Sequence, residues 1–122
     1  MTIGKVFTRI DADISFGKVI SSVFINTSDL QDLLLQTTNY IMFSIIDGEL
    51  VVLDNNRVPL YPANLAVSSI EVFHLLSVST VHDLLAKGNN DMTYFENRQN
   101  VLTLTNGDYS LEESQLCPPF CY

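Results

Sequence analysis

The sequence predicts an α+β domain built by internal duplication of a β-α-β-β-β unit, with a mostly antiparallel sheet and two short helices packed over it. Three observations predict it. "SDLQDLLLQ" at 28–36 and "STVHDLLAK" at 79–87 share Ser, Asp-Leu-Leu and their spacing. At an offset of about 51 residues, identities recur at Ser28/Ser79, Asp32/Asp83, Leu33/Leu84, Leu34/Leu85, Asn39/Asn90, Leu53/Leu104, Asn55/Asn106, Leu60/Leu111 and Leu65/Leu116. Apolar pairs such as Leu30/Val81, Ile41/Met92, Phe43/Tyr94, Leu50/Val101 and Val51/Leu102 keep step with them. Self-similarity at a fixed period marks a repeated supersecondary unit, and two copies suit a closed pseudo-twofold domain better than an open solenoid. The repeats span about 18–65 and 69–116 within a single domain of 122 residues.

The elements follow in order. Met1–Ile14 reads as one additional strand, "KVFTRI", with a polar turn at "DAD" 11–13. Each repeat then opens with a strand rich in β-branched and aromatic residues, "KVISSVFI" at 18–25 and "SIEVFHLL" at 69–76. A short helix follows. Ser28 with Gln31 forms a capping-box pattern, and Leu30, Leu33 and Leu34 fall on one face, as do Val81, Leu84 and Leu85. Lys87 suits the last turn of the second helix and Gly88 a left-handed exit. A hairpin comes next. "YIMFSII" meets "ELVVLD" across Asp47-Gly48, and "MTYFEN" meets "NVLTLT" across Arg98-Gln99. "RVPLYP" and "DYSLEE" close the two repeats, the latter after Asn106-Gly107. "YIMFSII" is apolar at nearly every position and so is expected at the centre of a sheet, covered on both faces.

Composition narrows function. Fourteen acidic and six basic residues give a formal net charge of -8, and the basic residues are scattered singly. Without a basic stripe, direct nucleic-acid binding is not expected. No segment reaches the roughly 18 apolar residues of a membrane helix, and the N-terminus has no apolar run of a secretory signal, so a cytoplasmic location is expected. Cofactor fingerprints are missing: there is no Gly-rich phosphate loop and no nucleophile elbow, and His74 and His82 have no metal-ligand spacing. The Asp/Asn clusters at 11–13, 54–56, 89–91 and 106–108 read as turn chemistry rather than calcium loops, since Phe16 stands where an EF-hand needs glycine. No cofactor and no metal are expected.

The Cys/Pro tail, 117–122, stops the repeat at Pro118-Pro119. It reads as a strap over an open sheet edge, with Cys117 and Cys121 as free thiols in a reducing compartment. Alternatives are a Cys-x-x-x-Cys disulfide, a redox switch, half of an intermolecular metal site or a Pro-rich ligand for a partner.

The expected function is therefore a small acidic protein-interaction module, an inhibitor, immunity or regulatory protein that covers a basic site on a protein partner. Asp29, Asp32, Asp83 and Asp91 are the expected contact carboxylates, with Tyr40 and Tyr94 as anchors. The alternative is a small-molecule binder or minor enzyme with a site at the pseudo-twofold seam, where His74 and Glu71 are the first candidates. A structural subunit of a homo-oligomer is the third reading.

Overall fold

The computed structural model describes residues 2–63, 65–99, 101–112, 114–118 and 121. After β1 (Lys5–Thr8) and α1 (Arg9–Phe16) come β2 (Val19–Asn26), α2 (Thr27–Leu34), β3 (Tyr40–Ile46), β4 (Glu49–Leu53) and β5 (Pro59–Tyr61). Then come β6 (Phe73–Ser77), α3 (Val78–Gly88), β7 (Met92–Arg98), β8 (Val101–Asn106), β9 (Tyr109–Glu112) and β10 (Gln115–Cys117). The fold is α+β, with two antiparallel five-stranded sheets ordered β1-β9-β8-β7-β2 and β10-β6-β3-β4-β5. The segments β2 to β5 and β6 to β9 have the same order of elements, and each lends its first strand to the other's sheet. β2 pairs with β7, and β6 with β3.

The α2 and α3 faces predicted to be apolar are buried. Leu30, Leu33 and Leu34 meet Val81, Leu84 and Leu85 in one core, which also takes in Ile41, Phe43, Phe95 and Leu104 from the sheets. β3 is central in its sheet, with Ile41 and Phe43 in this core and Met42 in a second cluster on the opposite face. The 51-residue spacing holds in the helices but not in the hairpins. Phe43 is buried whereas Tyr94 is 40% exposed, and it is Phe95 whose ring lies 4.9 Å from that of Phe43. Leu50 and Val52 are likewise matched in the core by Leu102 and Leu104, so the hairpins keep step at 52 residues. Alternation along a strand makes a one-residue slip a change of face, which overturns the Phe43/Tyr94 pairing.

Local chemistry explains the other departures. "RIDADISF" forms a helix rather than the end of a strand and a turn, with Thr8, the last residue of β1, as its N-cap. Thr8 Oγ1 accepts from the Asp11 amide at 3.2 Å, Ala12 packs against the sheet, and Gly17 with φ 85° ends the helix. The Ser28–Gln31 capping box does not form, because Asn26 occupies the N-cap position of α2 and Ser28 lies inside the helix; the N-cap of α3 is Ser77, and neither cap residue makes a side-chain cap bond. Gly88 is the last residue of α3, and the left-handed exit falls to Asn89 at φ 49°. Glycine is required at 88 for another reason: a Cβ there would collide with the Asn106 backbone and side chain. Arg98 pairs with Val101 and so belongs to β7 rather than to the hairpin turn.

β6 begins only at Phe73. The guanidinium of Arg57 donates to the carbonyls of Ser68 and Glu71 at 3.2 and 2.9 Å and holds that segment as a loop. The strap lies earlier than expected: Gln115–Cys117 pairs with β6 as an edge strand, so Cys117 belongs to the sheet. Pro119, Phe120 and Tyr122 of the tail lie outside the described residues.

Candidate interaction surface

Alternation in β7 sends Thr93 and Phe95 toward the core and Tyr94, Glu96 and Arg98 to the outer face of the first sheet. β8 does the same with Leu102 and Leu104 inward, Thr103 and Thr105 outward. A polar outer face is ordinarily solvated, but here part of it is buried. Glu96, Arg98, Thr103, Thr105 and Ser110 are each no more than 4% exposed. α1 contributes to this burial. Arg98 donates to Asp13 at 2.5 Å and to the Gly17 carbonyl at 2.7 Å, at the end of α1 and just beyond it. Its remaining donors reach Thr103 Oγ1 at 3.0 Å and Glu96 at 3.3 Å, and the Thr105 hydroxyl donates to the same Glu96 oxygen.

Beside this network the outer face opens into a groove of about 520 Å³ lined by Arg9, Ser22, Tyr94, Glu96 and Thr105, among others. At its rim Tyr94 packs against Phe24 with ring centroids 5.9 Å apart, and Phe24 is 63% exposed. Phe24 pairs directly with Tyr94 across β2 and β7, so both rings stand on one face. Two of the expected carboxylates lie at the same end of these strands. The amide of Thr27 donates to the Asp91 carbonyl at 2.8 Å, and Asn26 Nδ2 donates to Asp29 at 3.5 Å. Both Asp29 and Asp91 are exposed.

The other expected contact residues lie elsewhere. Asp83 on α3 and Asp32, one turn further along α2 than Asp29, are exposed but farther from the β2–β7 strand ends. Tyr40 is half-buried at the start of β3, packs against the second core cluster and lines a cleft with His82 at the start of α3. Tyr40 and Tyr94 are therefore not anchors of one surface.

His74 and Glu71 are not brought together in one groove. His74 faces a groove of about 350 Å³ between the sheets, with Ile20, Asn97, Arg98, Val101 and Leu116, while Glu71 stands exposed in the preceding loop. His74 Nδ1 is 3.2 Å from Ser114 Oγ, and burial holds its pKa below the ordinary 6.5. A folded-state pKa below the unfolded one makes the native state bind fewer protons. Stability is then full above the unfolded value and falls as pH drops from there toward the folded one. Urea midpoints measured on either side of the imidazole range should show that fall, and His74→Gln should remove its share. Equal pH dependence in both proteins would refute the assignment.

Cys117 and Cys121 form a disulfide rather than two free thiols. Their Cα atoms are 4.9 Å apart, inside the span that a disulfide bridges. Among the described residues no cluster of three His, Cys, Asp or Glu side chains could hold a metal ion, and no helix is long and apolar enough to cross a membrane.

The sequence does not announce the buried Arg98–Glu96 pair. Its only signal was the period-two placing of Glu96, Arg98, Thr103 and Thr105, which also describes a solvated face. Compared with protein-family models, curated proteins and solved structures, the chain matches none.

Proposed function

We propose that this chain is an acidic protein-interaction module whose contact surface is the Phe24–Tyr94 end of the outer sheet face, and that its target is a basic site on a protein partner. One observation carries the reading: the exposed Phe24–Tyr94 pair lies two residues from the ends of β2 and β7 that lead into the segments carrying the exposed carboxylates Asp29 and Asp91, on a chain of net charge -8. Aromatic rings supply contact area at little entropic cost, and surrounding carboxylates favour a cationic partner. Asp32 and Asp83 act at longer range, by speeding encounter rather than by touching the partner. We also propose that the matching order of elements and the exchanged first strands record duplication of one β-α-β-β-β unit. The common burial of Leu33 with Leu84 and of Phe43 with Phe95 supports it. The Cys117–Cys121 bond favours an oxidising compartment over the cytoplasmic one that the sequence suggests.

The test separates the two roles kinetically. A partner is first captured from native lysate with the unaltered chain. Asp32→Lys with Asp83→Lys is expected to slow association about tenfold at low salt, with dissociation little changed, because exposed charges act on the encounter rate. Tyr94→Ala should instead speed dissociation. Association that ignores both salt and the charge reversals, or a partner retained equally by Tyr94→Ala, would overturn the reading.

A second reading has its own support. Glu96, Thr105, Ser22 and Arg9 converge on the 520 Å³ groove, a volume within the range of small-ligand sites. That reading places the site on the outer face, away from His74 and Glu71.

A further inference from the structure

Four strands form the sheet edges, and three of them carry features that discourage strand addition. β5 has three residues and starts with Pro59. β10 has three and is followed by Pro118. β1 has four and carries Lys5. Short length, proline and lysine are the usual means by which proteins blunt an edge. β2 is the exception. It has eight residues, VISSVFIN, with no charge and no proline, and among the described residues it pairs with β7 alone. Among the described residues no backbone hydrogen bond ties Val19–Phe24 to anything else. Its one irregularity lies between Val19 and Ser21, and the pairing is regular from Ser21 to Asn26.

We propose that β2 is a self-association edge: two copies of this chain pair antiparallel through it about a twofold axis at Phe24, joining two five-stranded sheets into one of ten. The occupant follows from charge and from symmetry. A chain of net charge -8 repels its own copy in general, but this strand is neutral, so self-pairing sets no like charges opposite one another. A charged strand would find no counter-charge on it. An antiparallel pair closes with twofold symmetry, which leaves no further β2 edge free and limits assembly to a dimer.

The side-chain faces select the register. Two strands related by a twofold axis normal to the sheet must place outward residues opposite outward ones. With Phe24 on the axis, Phe24 meets its own copy on the outer face and Val23 meets Ile25 on the inner face. Ser22 meets Asn26 outside, and the irregular start at Val19–Ile20 falls beyond the paired stretch. Cross-strand aromatic and β-branched pairs of this kind are the stabilising unit of a sheet. The paired Phe24 rings and the two Tyr94 rings then form one stripe across the outer face of the dimer, which edge pairing leaves open. The inference does not depend on the proposed partner, since it is read from mass alone.

Sedimentation of the full chain tests it. The unaltered protein is expected at twice its chain mass of 13.7 kDa. Phe24→Lys and Phe24→Glu, which set like charges face to face on the axis, should each run at the monomer mass. An equimolar mixture of the two variants should return to the dimer mass, because lysine then meets glutamate. Circular dichroism checks that both remain folded. If either unfolds, Phe24→Thr keeps a strand-forming residue while deleting the ring, and should still weaken the dimer. A monomeric unaltered chain, dimers that survive both charged variants, or a mixture that stays monomeric would each overturn the proposal.

Discussion

Arg98→Leu is expected to destabilise the fold by about 3–5 kcal/mol, because it leaves a buried carboxylate without its counter-charge. Arg98 and Glu96 are 1% and 4% exposed, so both charges are desolvated in the folded chain. The bond to Asp13 contributes less, since that carboxylate is 51% exposed and already solvated. The loss should also be local before it is global. Arg98 joins β7 to Asp13 in α1 and to the Gly17 carbonyl just after it, so amide exchange in α1 should accelerate under conditions where β3 stays protected. Urea titration of Arg98→Leu, of Glu96→Leu and of the double variant gives the decisive comparison. The double variant should be more stable than Arg98→Leu alone, because an apolar pair carries no desolvated charge. A cost below about 1 kcal/mol for Arg98→Leu would show that Glu96 relaxes to solvent and that the pair is not a structural centre.

The same network shows which parts of the fold were legible in the sequence. Periodicity is set by burial, so the leucines of α2 and α3, the strands they cover and the central place of "YIMFSII" could be read directly. What periodicity does not carry is the identity of the layer lying on a face. Thr103, Thr105, Glu96 and Arg98 have the spacing of a solvated face, yet they are buried beneath a layer that includes α1. α1 itself buries only Ala12, which is too little apolar surface to announce a helix. The hairpin frame is illegible in the sequence for a related reason. Phe43 and Tyr94 look alike as aromatic residues, and only the neighbouring strands reveal that Phe95 faces the core. The candidate surface is harder still to read, because Phe24 and Tyr94 meet through pairing of β2 with β7, a contact some 70 residues apart in sequence. Tyr40, with the same residue type, went to the far side of the molecule because strand β3 lies in the other sheet.

Asn106→Ala is expected to cost about 2–4 kcal/mol, more than replacement of an ordinary turn asparagine, because this side chain is a buried junction. The sequence pattern Asn-Gly-Asp suggests a hairpin turn and nothing more. In the fold Asn106 is fully buried. Its Oδ1 accepts from the Asn90 amide at 2.9 Å, and its Nδ2 faces Thr93 Oγ1 at 2.9 Å, the Asn90 carbonyl at 3.0 Å, Thr27 Oγ1 at 3.1 Å and the Met92 carbonyl at 3.3 Å. An amide has two hydrogens for these four acceptors, and the hydroxyls of Thr27 and Thr93 ease the shortage by bonding each other at 2.8 Å. One side chain thus ties the start of α2 to the segment following α3 and to the first strand of its hairpin, and Gly88 is kept bare so that α3 can approach it. Asn106→Asp discriminates between size and chemistry. Aspartate keeps the acceptor for the Asn90 amide but removes both donors and turns a carboxylate toward two carbonyls, so it should destabilise at least as much as alanine does. Chemical denaturation gives the two costs, and amide exchange at Thr27 and Asn90 should rise in both variants. An aspartate variant as stable as the unaltered chain would show that the donors of Asn106 are dispensable, and the junction would then rest on packing alone.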